Sequence, residues 1–270
     1  MRPSGHAYIP RDALGIMTAR TLENSHPCLL GLLEPGMAVL DVGCGPGTLT
    51  MEIARRVDPG GVVGMDVNPE MIAAAEAASP PGEIPNLVFY KGDVCQSGWE
   101  AEFDLVNAAR VLQWIADAEV ALRAMARAAR PGGLVVVLDF DHTRAEWSRP
   151  PAAWSRFYQA FLEWRTAGGL DNAIITRLPR MCETAGLADI RTTPLIRTVR
   201  AGEAAFLRVA GTWRLVADSR GRQMVAAGHL GEAERRAAVQ AFTAWMQAED
   251  AAQTIHEACV AARRPTEARR

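Results

Sequence analysis

The chain has 270 residues, 49% of them hydrophobic, and a formal net charge of −2. That is enough apolar material for one large α/β domain with a helical cap. Without a broad basic footprint, nucleic acid is not an expected partner, and Lys91 is the only lysine among many arginines.

Cys28, Cys44, Cys95, Cys182 and Cys259 lie far apart, with no C-x-x-C and no histidine pair at ligand spacing. Neither a metal site nor a disulfide framework is expected, and scattered thiols fit a reducing cytoplasm. The first residues lack the apolar core of a signal peptide, and the longest uncharged apolar run, Leu134 to Leu138, is far too short to span a bilayer. A cytoplasmic protein with no membrane partner is expected.

Residues 1–35 pair a polar start with helical spacing. Leu14, Met17 and Thr18 share one face, Leu29, Leu30, Leu32 and Leu33 form a second apolar group, and Glu34-Pro35-Gly36 stops the pattern. His6 and Tyr8 could face a site from this N-terminal cap.

The apolar run Val39-Leu40-Asp41-Val42 then meets Gly43, Gly45 and Gly47, and Leu49, Ile53 and Val57 follow at helical spacing. This reads as strand, tight turn, helix. Such a turn removes side chains where a ligand approaches the backbone, and the helix N-terminus offers free N–H groups. Gly61 to Val67 reads as a second strand ending on Asp66, about 20 residues beyond the turn, where a carboxylate can accept from the vicinal hydroxyls of a ribose. Asn68, just before Pro69 and Glu70, can cap the next helix, which runs to Ala78 and leaves Asp66 free for a ligand. Asn86 to Tyr90 is a third strand, leading to Lys91-Gly92-Asp93-Val94. Glu102 to Ala109 is a fourth, with Asn107 and Arg110 at its C-terminal end. Val111-Leu112-Gln113-Trp114 follows, then a helix over Glu119 to Arg130. Pro131-Gly132-Gly133 turns the chain into the β-branched run Leu134 to Phe140, a buried fifth strand.

The G-x-G-x-G turn preceded by Asp41 resembles the first motif of the class I S-adenosylmethionine-dependent methyltransferases, and a dinucleotide fold would show G-x-G-x-x-G instead. The Gly-Asp-x pattern at Asp93 and the Pro-Gly-Gly-apolar junction are similar to further motifs of that family, of the small-molecule kind seen in ubiquinone and menaquinone biosynthesis. The likeness covers roughly residues 36–199 and the last strand. It implies a Rossmann-like, mostly parallel seven-stranded sheet with an antiparallel last strand, helices on both faces and a helical lid. It implies S-adenosyl-L-methionine as cofactor, held by Asp41, Gly43, Cys44, Gly45, Gly47, Asp66, Val67, Asp93, Val94, Asn107 and Arg110, with Asp93 at the adenine amino group. Where many relatives carry His, this chain has Gln113, which cannot serve as a base.

Asp141-His142-Thr143-Arg144 reads as a polar loop at the sheet's C-terminal edge, with His142 as the candidate catalytic base and Asp141, Tyr158, Asp171 and His229 as further candidates. Trp154, Phe157, Tyr158, Phe161 and Trp164 share one helical face. Part of it, Trp154 and Tyr158 together with Trp114, is a candidate wall for a partly apolar substrate; packing on the sheet is the other reading. Ile174 to Ala185 is a helix and Asp189 to Val199 a sixth strand. Two helical patterns, Ala204 to Val216 and Glu232 to Met246, form an insertion over 200–250. Thr254 to Ala261 is the last strand, within 251–264.

One domain over 1–270, monomeric or homodimeric, is expected to methylate a small molecule on oxygen, nitrogen or carbon. A cofactor-binding cyclase or isomerase on the same scaffold, a nicotinamide oxidoreductase and a regulatory protein that senses the cofactor remain open alternatives.

Overall fold

The computed structural model describes residues 17–80 and 82–266. His6, Tyr8 and Leu14 lie outside the described residues. Met17 and Thr18 are helical, and two single-turn helices, α1 (Leu22–Ser25) and α2 (Pro27–Leu30), follow in place of one continuous helix. Pro27 cannot extend α1, and the Thr21 hydroxyl caps that helix by accepting the Asn24 N–H.

Seven strands follow: β1 (Val39–Val42), β2 (Val62–Asp66), β3 (Leu87–Lys91), β4 (Phe103–Ala109), β5 (Ala129–Trp147), β6 (Ala188–Arg200) and β7 (Ala252–Arg263). They form one sheet in the order β3-β2-β1-β4-β5-β7-β6. The first five are parallel, and β7 is antiparallel to both β5 and β6. The order reverses between β1 and β4, the switch point where open α/β sheets bind ligands at their strand C-termini.

Strand alternation divides the core. Leu40, Val42, Val106, Ala108, Val135 and Val137 pack on one face with α5 (Ala118–Ala128) and α7 (Ile174–Thr184). Val39, Leu105, Val136 and Leu138 pack on the other with α3 (Thr48–Val57) and Leu22 and Leu29. The helix α4 (Pro69–Ala78) starts under the Asn68 side chain, which accepts the Glu70 N–H at 3.0 Å.

A second core is rich in aromatic rings, with small and aliphatic side chains between them. It joins α6 (Ala152–Ala167), α8 (Phe206–Ala226) and α9 (Glu232–Trp245), the last two forming the helical insertion. The helix α8 runs ten residues past the expected end at Val216. Gly221 lets it approach closely, because a Cβ there would lie 2.9 Å from the Arg235 side chain and 3.3 Å from Phe157.

The expected polar loop at 141–144 is instead strand. Asp141 pairs with His256 and Trp147 with Gln253, across a register shift between Asp141 and Glu146. The long β7 supplies backbone partners that a strand ending at Phe140 would have left unmet. Among the described residues no helix is long and apolar enough to cross a membrane.

Candidate functional site

The turn after β1 is held by backbone bonds: the Cys44 N–H donates to Met65 at 2.9 Å and the Gly47 N–H to Cys44 at 3.1 Å. Gly43 (φ +68°) and Gly47 (φ +77°) take left-handed conformations that suit glycine. Gly47 is the N-cap of α3, and a Cβ there would lie 2.5 Å from Phe89. Bare backbone thus faces the C-terminal end of the sheet.

Asp66 braces this turn. Its Oδ2 accepts the Gly45 N–H at 3.0 Å and its Oδ1 the Asn68 N–H at 2.8 Å. Burial raises its pKa, while the backbone N–H groups of Asn68, Gly45 and Val67 oppose that shift. Asp93 caps a 3-10 turn over Val94–Gln96 by accepting the Cys95 N–H at 2.9 Å, and it also accepts from Gln96 Nε2 at 2.8 Å. Asp41 accepts from Thr50 Oγ1 at 2.6 Å and Asn107 Nδ2 at 2.7 Å, and burial raises its pKa to about 6.

These groups open on one cavity of about 640 Å³. Asp41, Gly43, Cys44, Asp66, Val67, Asp93, Val94 and Arg110 all line it, as do His142 and Trp114. Gly45 and Gly47 do not; they shape the turn from behind. Asn107 is fully buried outside the cavity lining. Because Asp41 and Asn107 are register partners on β1 and β4, its amide bridges Asp41 to His26 Nε2, at 2.9 Å from the latter. It therefore supports Asp41 from behind, at one remove from the cavity expected to hold the cofactor.

Trp154 and Tyr158 also depart from expectation. Trp154 is fully buried, stacked on Phe242 at a 3.9 Å centroid distance and on Phe157 at 5.2 Å. Tyr158 donates its hydroxyl proton to the His142 carbonyl at 2.8 Å. Neither lines the cavity. The bulk of the aromatic face serves the second core, and Phe161 is its member that reaches the cavity wall. Trp114 lies between two guanidiniums, with Arg165 Cζ 4.6 Å and Arg220 Cζ 4.3 Å from its ring centre.

His142 is buried at the cavity wall, and burial together with Arg165 holds its imidazole well below its ordinary pKa. The ring is neutral at pH 7. Its Nε2 donates to Gln113 Oε1 at 2.5 Å, and its Nδ1 faces the Tyr158 hydroxyl at 3.5 Å. Asp139, raised to about 7 by burial, accepts the Gln113 N–H at 3.1 Å. Arg165 donates to the Gln113 carbonyl at 3.0 Å and to Asn172 Oδ1 at 2.7 Å. Asp141 is engaged by Thr143, and Asp171 by Arg177.

Several lining residues escaped the sequence reading: Arg20, Arg197, Arg208, Trp213 and Arg220. A partial signal existed for two buried charges nearby. Arg165 continues the aromatic stripe one turn beyond Phe161, and Glu257 directly precedes the apolar run Ala258 to Ala262.

A doubly wound sheet with an antiparallel final hairpin and a cavity at its switch point defines an α/β protein of methyltransferase architecture. The chain belongs to the methyltransferase-domain family, whose model matches residues 33–179, more than half of it. It is 34% identical over 158 residues to a trans-aconitate 2-methyltransferase of Methylobacterium radiotolerans, covering 58% of this chain and 57% of that protein. It is 34% identical over 131 residues to the ubiquinone/menaquinone biosynthesis C-methyltransferase UbiE of Shewanella frigidimarina, covering 46% of this chain and 51% of that protein. The chain thus spans about half the length of these curated relatives. Among solved structures it is similar to phosphoethanolamine N-methyltransferase 2 of Haemonchus contortus in complex with phosphomonomethylethanolamine and S-adenosylhomocysteine, with a TM-score of 0.59, 18% identity and coverage of 94% of this chain and 57% of that one. It is also similar to the [4+2]-cyclase SpnF, with a TM-score of 0.55, 20% identity and coverage of 95% and 82%. At such identities the likeness concerns the fold.

Proposed function

We propose that the chain transfers a methyl group from S-adenosylmethionine to a small-molecule acceptor. One observation carries this reading: the glycine turn, Asp66 and Asp93 line a single cavity that continues beneath α8 to Trp114, His142 and Trp213. The residues fit the cofactor. A Cβ on Gly43 would strike the Val111 methyls, so the turn stays free of side chains. Asp66 uses one lone pair on each oxygen for the backbone and keeps capacity for two ribose hydroxyls.

In this reading Asp41, Gly43, Cys44 and Arg110 surround the amino-acid end, Gly45 and Gly47 set the turn, Asp66 and Val67 hold the ribose, and Asp93 and Val94 meet the adenine. When bound, the cofactor supplies an electrophilic methyl group on a sulfonium. The protein's part is to align the acceptor and exclude water, and the aromatic layer around α8 provides such an enclosure. Calorimetry should show binding of S-adenosylmethionine and S-adenosylhomocysteine and none of NAD; binding of NAD alone, or of none of the three, sinks the reading.

His142 remains the proposed base for an acceptor that must lose a proton, a role in which Nε2 exchanges its bond to the cavity-lining Gln113 for the acceptor while Nδ1 stays against the Tyr158 hydroxyl. Its depressed pKa fixes the sign of the pH dependence. A neutral imidazole accepts a proton at any pH above its own pKa, so turnover should hold steady down through pH 6.5 and fall only at more acid pH. His142→Ala should lower turnover far more than cofactor affinity, and an acid limb at or above pH 6.5 would assign the base elsewhere.

A further inference from the structure

Where β4, β6 and β7 meet the N-terminal segment, four arginines gather around one carboxylate. Glu257 on β7 is buried and accepts from Arg110 Nε at 2.7 Å and Arg197 Nη2 at 3.3 Å. Arg20 and Arg208 line the same cavity, and no hydrogen bond or ion pair engages either guanidinium among the described residues. Four guanidiniums against one carboxylate leave three positive charges in excess. Burial and the neighbouring Arg110 lower Arg20 to about 9, and burial with Arg110 and Arg208 lowers Arg197, so the charges strain against one another.

The donors are also underused. Arg110 Nη1 and Arg197 Nε are buried without a partner. A folded protein rarely leaves such groups unmet, since each carries the full penalty of lost hydration. The cofactor's own carboxylate would answer part of the excess. Arg20 is placed for that task, because Met17, three residues earlier, packs against Gly45 of the glycine turn. That leaves Arg208 and, beside it, the unpartnered Nε of Arg197, whose Nη1 already donates to the Asn24 carbonyl at 3.0 Å and whose Nη2 holds Glu257. Around them the wall turns apolar: Phe140 lies 5.5 Å from Arg110 Cζ, and Val209, Trp213 and Ile255 complete it.

We infer that the acceptor is an organic carboxylate, its anionic group seated between Arg197 and Arg208 and its apolar part against Phe140, Val209 and Trp213. The planar guanidinium fork matches a carboxylate in two-point contact, and the low-dielectric walls strengthen that pairing. This inference rests on the methyltransferase reading of the cavity.

The protein is saturated with S-adenosylhomocysteine and titrated with phenylacetate, cinnamate and succinate beside their matched amides, by calorimetry and tryptophan fluorescence. At least one acid should bind tenfold or more tightly than its amide. Arg208→Gln should erase about a factor of ten to 100 of that preference, as expected for a charge-assisted bond, and Arg208→Lys should restore part of it. Neither should alter S-adenosylhomocysteine affinity or melting temperature. Arg197→Gln should act in the same direction, and Arg208, having no ion pair to break, keeps the test independent of folding. Equal binding of acids and amides, no binding of any acid, or stronger binding of phenyl phosphate overturns the proposal. So does an acid that binds only when S-adenosylhomocysteine is absent, which would assign the arginines to the cofactor's carboxylate. Failure to bind S-adenosylhomocysteine at all is seen before any acid is added, and it removes the methyltransferase reading itself.

Discussion

Replacing Asp66 by alanine is expected to weaken S-adenosylmethionine binding by about 100-fold or more. A hydrogen bond to a charged group contributes about 1.5–3 kcal/mol, and the ribose reading gives this carboxylate two of them. The site is shielded, so solvent does not dilute them as it would at a surface. Asp66 also fastens the turn, through the Gly45 and Asn68 N–H groups. Alanine therefore removes the ligand's acceptor and a brace of the loop together. Asp66→Asn is the milder change. Its amide oxygen keeps one of the two backbone N–H groups while its NH2 faces the other, so half of the brace is lost together with the charge, and binding should weaken by about tenfold. Calorimetry with a parallel melting curve reads both variants. Wild-type affinity in the alanine variant would remove Asp66 from the ligand set.

The difference between what the sequence disclosed and what it concealed follows contact range. The turn at Gly43, Gly45 and Gly47, the strand ending at Asp66 and the Asn68 cap are local: each needs a few neighbouring residues, and each leaves a pattern in them. The Asp41–Asn107 pair is not local. It depends on β1 and β4 lying in one particular register, which alternation within either strand does not determine. The arginine cluster is less legible still: the resemblance places Arg110 at the site, but Arg20, Arg197 and Arg208 come from three further segments and each alone reads as surface. The extension of β5 through Trp147 was hidden for a related reason. Its residues are polar and bear no β-branched run, and they are held by a strand more than 100 residues further on.

The charges that escaped notice explain how the two halves of the molecule are joined. Arg165 rises from the aromatic helix α6 to bond the Gln113 carbonyl next to the sheet, and its ring contacts reach Trp114 and Phe161. Gln113 in turn meets His142 on β5. A polar chain thus connects the helical layer to the C-terminal edge of the sheet, directly behind the proposed acceptor chamber. In a low-dielectric interior such a network fixes one geometry, because any slip leaves a donor or acceptor unmet. The helical layer is positioned by this network as much as by apolar contact.

Trp154→Ala tests where the aromatic face belongs, and it is expected to cost about 3–5 kcal/mol of stability with no change in S-adenosylhomocysteine affinity. Trp154 is enclosed on every side, by Phe242 and Phe157 in stacked contact and by Trp147 edge-on at 5.4 Å. Removing the indole opens a large cavity in the second core, far beyond what neighbouring side chains can close. The damage should concentrate in α6, α8 and α9, so hydrogen exchange should rise there before it rises in β1 or β4. Trp154→Phe should cost clearly less, for two reasons. It retains a ring against Phe242, and it removes an indole N–H that is buried without a partner. Denaturant melts of both variants, read beside calorimetry, separate packing from recognition. A Trp154→Ala variant of unchanged stability would return this tryptophan to the substrate wall.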